Sequence, residues 1–261
     1  MNSLRVFFRG GLTSYRALFG WLNPWLGVPM MAITPLFQLL FFAYLGRATE
    51  VASDTYFVIG NSLLAAALPG LVGVSGTVAG ERVTKTLGML LSSPANRLAL
   101  FLGRTLPAIV NGVAVSAFCL ASGALLLDFH VAASAVPGLM VVVVVCAFSC
   151  SALGLCIGAF GLRLRNATVL AWVFIPVLLL VSGANVPLGR LPDWLRAIGS
   201  GLPLAHGIEA ARGLVAGQTL AENGRPLLLE LTIGLAYTGT GILLLRLLEF
   251  ESRRTASLET M

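Results

Sequence analysis

The chain has 261 residues, of which 57% are hydrophobic and only 11% charged, and its mean hydropathy is +0.91. Soluble domains carry about a quarter of their residues charged, so this composition excludes a water-soluble globular fold and points to an integral membrane protein. The formal net charge of +6 comes from 17 Lys and Arg against 11 Asp and Glu, and the placement of those bases decides what the charge is for.

The chain starts with an amphipathic stretch. At 100° per residue, Leu4, Phe7, Phe8, Leu12, Tyr15, Leu18, Phe19 and Leu22 share one face, and Arg5, Arg9 and Arg16 form a strip beside it. The pattern predicts an interfacial helix over 1–23, with Trp21 and Trp25 at the headgroup level. No small-x-small site closes it as a secretory signal would. It reads either as a plain anchor or as a lever to a cytoplasmic partner.

Charge-free intervals at 17–46, 55–80, 105–127, 131–162 and 166–189, and a sixth at 226–245 broken only by Glu230, are each long enough for a transmembrane helix of about 20 residues. They predict an all-α protein of six spans, near 24–46, 55–79, 104–127, 134–160, 167–187 and 227–247. Nothing alternates with a period of two, which excludes a β-barrel.

With six spans both termini share one side. That side collects Arg5, Arg9, Arg16, Arg82, Lys85, Arg97, Arg104, Arg163, Arg165, Arg246, Arg253 and Arg254, twelve of the 17 bases, so both termini are expected in the cytoplasm of a plasma-membrane protein. The net charge is then a cytoplasmic excess beside anionic lipid, and no nucleic-acid partner is expected.

Between the second and third spans lies "GERVTKTLGMLLSSPANR", residues 80–97. Leu87, Leu90 and Leu91 recur at helical spacing, Ser92 or Ser93 can cap a following helix, and Pro94 fits its first turn. The segment reads as a short helix, a corner, then span three. Its leucine face either lies back on the bundle or docks another protein.

Small residues stand at helix-packing spacing in span two (Gly73, Gly76, Gly80) and span four (Gly154, Gly158, Gly161), serving contacts within one subunit or between two. Cys119, Cys146, Cys150 and Cys156 all fall inside spans without metal-site spacing and read as packing residues. The stretch 188–217 is too polar to span and too apolar for a free loop. Helical starts at Pro192 and Pro203 suggest two external half-helices dipping into the outer leaflet, or a hairpin lying on it.

Glu230 is the one acid inside a span and reads either as reaching the outer interface or as facing a cavity that receives a cationic cargo. Other candidates for a substrate path are Phe37 and Phe41 on span one, Asn61 on span two, and Trp172 and Asn185 on span five.

The run "ERVTKTLGMLLSSPANRLALFLGR", residues 81–104, resembles the segment after the second span in membrane subunits of type-2 ATP-binding-cassette (ABC) exporters: an acidic-basic start, Thr-Leu-x-x-Leu-Leu, Ser-Pro, and a base before span three. "VSGANVPLGRLPDWLRAIGSGLPLAHGIEAARGLVAG", residues 181–217, is similar to that family's external segment between spans five and six, with His206 departing from a position that is often aromatic or polar. With the span count, the resemblance covers nearly the whole chain and is closest to the drug and antibiotic resistance branch.

The resemblance implies a permease that exports a hydrophobic or amphipathic substrate, a drug or antibiotic or alternatively a lipid or lipid-linked saccharide. Residues 81–97 would be the coupling helix that docks on a separate ATPase subunit, through Glu81, Arg82, Thr86, Leu87, Leu90, Leu91, Ser93, Pro94 and Arg97. It also implies a second permease copy, or a homologous permease, to complete the path. ATP and Mg would sit on the partner, because the only lysine, Lys85 in "GERVTKT", has Thr84 where a phosphate-binding loop needs glycine, and no cofactor or metal is expected on this chain.

Two other classes fit less well. An intramembrane serine protease would use "GVSG" at 73–76, yet His130 and His206 fall in external segments while Ser75 is placed toward the cytoplasm. An ion-coupled transporter would need acids at mid-span or matching broken helices.

Overall fold

In the computed structural model the described residues are 24–77, 97–127, 129–160 and 167–254. The expected interfacial helix with Arg5, Arg9 and Arg16 lies outside them, as do Glu81, Arg82, Thr86, Leu87, Leu90, Leu91, Ser93 and Pro94 of the expected coupling helix.

The described chain is helical, without a β-strand among these residues. Helix α1 is Pro24–Thr49 and α2 starts at Asp54–Ala65. Then α2 passes through a π-turn at Pro69–Gly73 and continues to Thr77, the last described residue before 97. Pro69 cannot donate to the carbonyl four residues back, and the wider turn absorbs the missing bond. Helix α3 is Arg97–Leu126, α4 is Val136–Ala159 and α5 is Ala167–Val181. Two shorter helices follow, α6 at Asp193–Gly201 and α7 at Ala205–Val215, before the long α8, Gly224–Arg254.

Among the described residues four helical stretches are long and apolar enough to cross a membrane: Asp54–Thr77, Thr105–Leu126, Ala133–Ala159 and Gly224–Leu247. The shortest of these, at 22 residues, spans about 33 Å, more than the hydrocarbon thickness. The chain is therefore an all-helical, multi-pass membrane protein. Helix α1 runs for 26 residues through the interval read as span one.

Helix α4 forms the centre, packing on α8, on the π-turn of α2, and on α3, α5 and α7. Its seam with α8 repeats every seven residues. Ser149 donates to the Glu230 carbonyl (3.0 Å) and Cys156 to the Tyr237 carbonyl (2.9 Å), while Gly234 and Gly241 let the α4 side chains close on the α8 backbone. A seven-residue repeat is the spacing at which two helices stay in register at a shallow crossing angle. Helix α1 packs on α2 and α3.

One expectation needs correction. Helix α5 ends at Val181, not at 187, because Gly183 takes a left-handed conformation (φ +78°) and the carbonyls beyond the helix end are held by side chains from elsewhere. The segment 188–217 forms two short helices, α6 and α7, that begin beside Pro192 and Pro203. Helix α7 is buried through Ala205, Gly207, Ile208, Ala210, Ala211 and Leu214 and packs on α2, α4 and α8, whereas α6 lies on the outside with Trp194 and Ile198 exposed.

Candidate functional site

Of the buried polar side chains, Asn61, Asn185, Asn223 and Glu230 gather at the end that carries α6 and α7. Asn61 and Asn185 are 124 residues apart in sequence, and the structure joins them: Asn61 Nδ2 donates to Asn185 Oδ1 at 2.8 Å and to its own helix at Phe57 O, 3.0 Å. Gln38 of α1 extends the chain by donating to Asn61 Oδ1 at 3.3 Å. An amide ladder thus links α1, α2 and the turn after α5. Both asparagines are buried, and the Nδ2 amide group of Asn185 has no acceptor among the described residues. A buried donor left so is costly, which marks this ladder as a place where a polar group of a cargo or a water is welcome.

Close backbone contact makes the ladder possible. A Cβ on Gly60 would come within 2.7 Å of the Ala184 Cα, so only glycine lets the turn after α5 lie against α2. Below it Ser116 of α3 donates to the Ser62 carbonyl.

Glu230 is fully buried. Its two carboxylate oxygens accept from the backbone N–H groups of Leu204 (2.9 Å) and Gly207 (3.2 Å) at the start of α7. A helix begins with N–H groups that have no partner in the helix and with a partial positive charge, and a carboxylate answers both. Leu204 itself is held at φ +83°, a strained value for a residue with a side chain. Tyr237, two turns on along α8, donates to the Gly201 carbonyl at 3.0 Å and fixes the end of α6. Span and corner are thereby stapled together.

This assignment gives a direct expectation. Glu230→Ala leaves two buried N–H groups without acceptors, at about 1–3 kcal/mol each, and should lower the thermal midpoint of the detergent-solubilised protein clearly, with Glu230→Gln in between. Equal midpoints for wild type and Glu230→Ala would contradict the cap.

The sequence reading passed over Arg212 and Tyr56. The Arg212 guanidinium lies 3.5 Å over the Tyr56 ring, and its Nη2 donates to the carbonyls of Tyr56 (3.1 Å), Gly183 (2.9 Å) and Ala184 (3.4 Å). The Tyr56 hydroxyl adds a 2.6 Å bond to the Gly183 carbonyl. Burial lowers the Arg212 pKa from its ordinary value and the contact with Tyr56 opposes this; an arginine remains charged throughout. Arginine in an external segment carried no periodic signal, and its target, a left-handed glycine turn, forms only in the fold.

The connection from α7 to α8 is tied by Glu222, which accepts from the Thr219 N–H (2.6 Å) and hydroxyl (2.9 Å); these bonds hold its carboxyl below the usual range.

The remaining candidates for the path lie elsewhere. Phe37 and Phe41 are 65% and 62% exposed on one face of α1, and Trp172 is 56% exposed on α5. The structure does not bring them to the amide ladder. They face whatever covers the bundle, lipid or a second chain. Arg97 is the first residue of α3. Of the protease candidates, Ser75 Oγ donates to the Val72 carbonyl, while His206 contacts Ser200 and Glu209.

A search among curated proteins gives no match. A family profile, ABC-2 type transporter, matches residues 12–215, which takes in α1 to α7 and both motif-bearing segments. Membrane-crossing helices and this match over most of its length agree: the chain belongs to the ABC-2 type transporter family, as the membrane permease subunit of an ABC transporter that works with an ATP-binding subunit.

Proposed function

We propose that the chain is the permease of an exporter that moves a hydrophobic or amphipathic compound out of the cell, with ATP hydrolysed on a separate subunit and a second permease, identical or homologous, completing the path. The observation that carries the reading is the position of 81–97. Its acidic-basic start, leucine spacing and Ser-Pro pair fall in the sequence between the membrane-crossing stretches Asp54–Thr77 and Thr105–Leu126, where a motion of an ATPase would enter the bundle. Both termini and this elbow are then cytoplasmic, and α6 and α7 lie at the outer side.

A drug or antibiotic fits the apolar bundle and the exposed rings of Phe37, Phe41 and Trp172. A lipid-linked saccharide is the second reading, favoured by the buried amides of Gln38, Asn61 and Asn185, which are suited to hydroxyl groups.

The test is purification from the native membrane. An ATPase subunit should copurify, and its hydrolysis should be vanadate-sensitive and stimulated by the permease. Glu81→Ala should lower the stimulated rate without lowering yield. A chain that purifies without a nucleotide-binding partner and transports on a proton gradient alone would replace the ATP-driven reading with an ion-coupled one.

A further inference from the structure

Helix α7 is attached to its surroundings in two different ways. On the α4–α8 side the hold is dense: Glu230 caps its N-terminus, Tyr237 fixes the corner before it, and Gly207 packs beneath Cys146 so closely that no side chain fits there. On the α2–α5 side the polar hold among the described residues runs through Arg212. One nitrogen of its guanidinium serves three carbonyls on two elements, and the ring face of Tyr56 covers it. Its buried Nε–H has no acceptor, and among the described residues no carboxylate pairs with it. A buried cation answered by carbonyl dipoles and a ring quadrupole, not by an anion, is held in place but less deeply than in a bidentate ion pair.

The helices on that side are interrupted farther along. In α2 the π-turn Pro69–Gly73 is locked onto α4: a Cβ on Gly70 would come within 2.9 Å of the Ser151 nitrogen, and one on Gly154 would strike the Gly70 carbonyl. Helix α5 carries Pro176. From Pro69 to Tyr56 the helix rises about 20 Å, so a tilt of ~10° about the locked turn displaces Tyr56 by roughly 3–4 Å, enough to break every bond that Arg212 makes.

We propose that Arg212 and Tyr56 form a latch at the outer end of the translocation path, and that release of cargo opens the bundle at this contact while Glu230 keeps α7 on α8. The latch rests on the reading of the chain as an export permease. Arg212 acts as a positioning residue: it touches the moving backbone and sets which state is populated. The amide ladder of Asn61 and Asn185 lies directly behind it, so opening the latch exposes Asn185 to the outside.

Asn185→Cys serves as the reporter, labelled with a membrane-impermeant maleimide; the native cysteines are buried, and protein without the reporter gives the background. In the complex with its ATPase subunit, labelling should be slow at rest and rise about tenfold when ATP is trapped with vanadate, as expected when a state with a ~1.4 kcal/mol disadvantage becomes favoured. Arg212→Gln should label at the fast rate without nucleotide, and Arg212→Lys, which keeps the charge but not the planar stack, should fall between. Tyr56→Phe keeps the ring and loses the bond to Gly183; it should raise the resting rate severalfold and stands in if Arg212→Gln fails to fold. Resting rates equal to the parent in both Arg212→Gln and Tyr56→Phe, or an assembled complex whose labelling ignores nucleotide, would overturn the latch. Failure to assemble with an ATPase would instead remove the export reading, and the comparison of resting rates, which needs no partner, still decides the latch.

Discussion

Gly154→Val is expected to prevent the chain from accumulating as a folded membrane protein, the largest effect of any single substitution in the described residues. Gly154 of α4 faces the π-turn of α2, where a Cβ would meet the carbonyl oxygen and backbone of Gly70 and the Cα of Leu71. Backbone lies on both sides, so no rotamer change relieves the contact, and the neighbours cannot yield without moving a helix that α1, α3, α5 and α7 also hold. Overpacking where side chains can adjust costs about 1–3 kcal/mol; here the cost lies above that, on the order of a hundredfold or more in the folding equilibrium. Gly76→Ala is the matched control, because nothing lies within 4 Å of its Cβ position, and removing a helical glycine gains about 0.5–1 kcal/mol. Fluorescence-detected size exclusion of tagged protein would compare the two. A Gly154→Val peak as tall and symmetric as that of Gly76→Ala would show that the α2–α4 crossing is not as close as described.

The same pair of helices shows what could be read from residues alone. Long intervals without Asp, Glu, Lys or Arg become helices of membrane-crossing length at Asp54–Thr77, Thr105–Leu126, Ala133–Ala159 and Gly224–Leu247, because in hydrocarbon a continuous helix is the one way to pair every backbone group within the segment. The spacing of glycines pointed to span four and span two but not to the right partner. Gly154 meets Gly70, which stands outside the Gly73 and Gly76 series, and Gly73 has only the Ala108 methyl, 3.9 Å from its Cβ position. Pro69 shifts the helical phase through its π-turn, so counting at 100° per residue across it does not find the glycine that meets Gly154.

The candidate site at the end carrying α6 and α7 was legible as a list of types and illegible as a network. Asn61 and Asn185 stood out as amides in apolar surroundings, yet their hydrogen bond depends on Gly60 admitting the Ala184 backbone, a contact across more than 120 residues. Glu230 stood out as an acid in a span. Its role waited on Leu204 turning its N–H inward at positive φ, which no local preference of leucine announces. Arg212 was hidden by its company: in "IEAARGLVAG" it looks like one more charge on an exposed turn of helix, and only the turn at Gly183 gives it an object.

Leu90→Asp and Leu91→Asp are expected to abolish association with the ATPase subunit while leaving the permease inserted and stable. The argument is one of burial. Leu87, Leu90 and Leu91 recur at helical spacing in the sequence between two membrane-crossing helices, and on the proposed reading the face they would share docks the ATP-binding subunit with which this family works. Burying a carboxylate in an apolar interface without a counter-charge costs several kcal/mol, and a central contact of a docking helix carries about 2–4 kcal/mol of binding energy. A loss of ~3 kcal/mol weakens Kd more than a hundredfold, enough to empty a pull-down at micromolar protein. Insertion should be indifferent, because the substitutions lie outside the stretches that cross the membrane. The competing picture, in which the leucines lie back on their own bundle, predicts another pattern: the permease purified alone would lose thermal stability, and the loss of partner would follow the loss of fold. Measuring both the thermal midpoint of the isolated permease and the recovery of the ATPase separates the two. A wild-type midpoint with no partner recovered supports docking; a lowered midpoint, or full recovery of the partner with either aspartate in place, moves the coupling function away from this face.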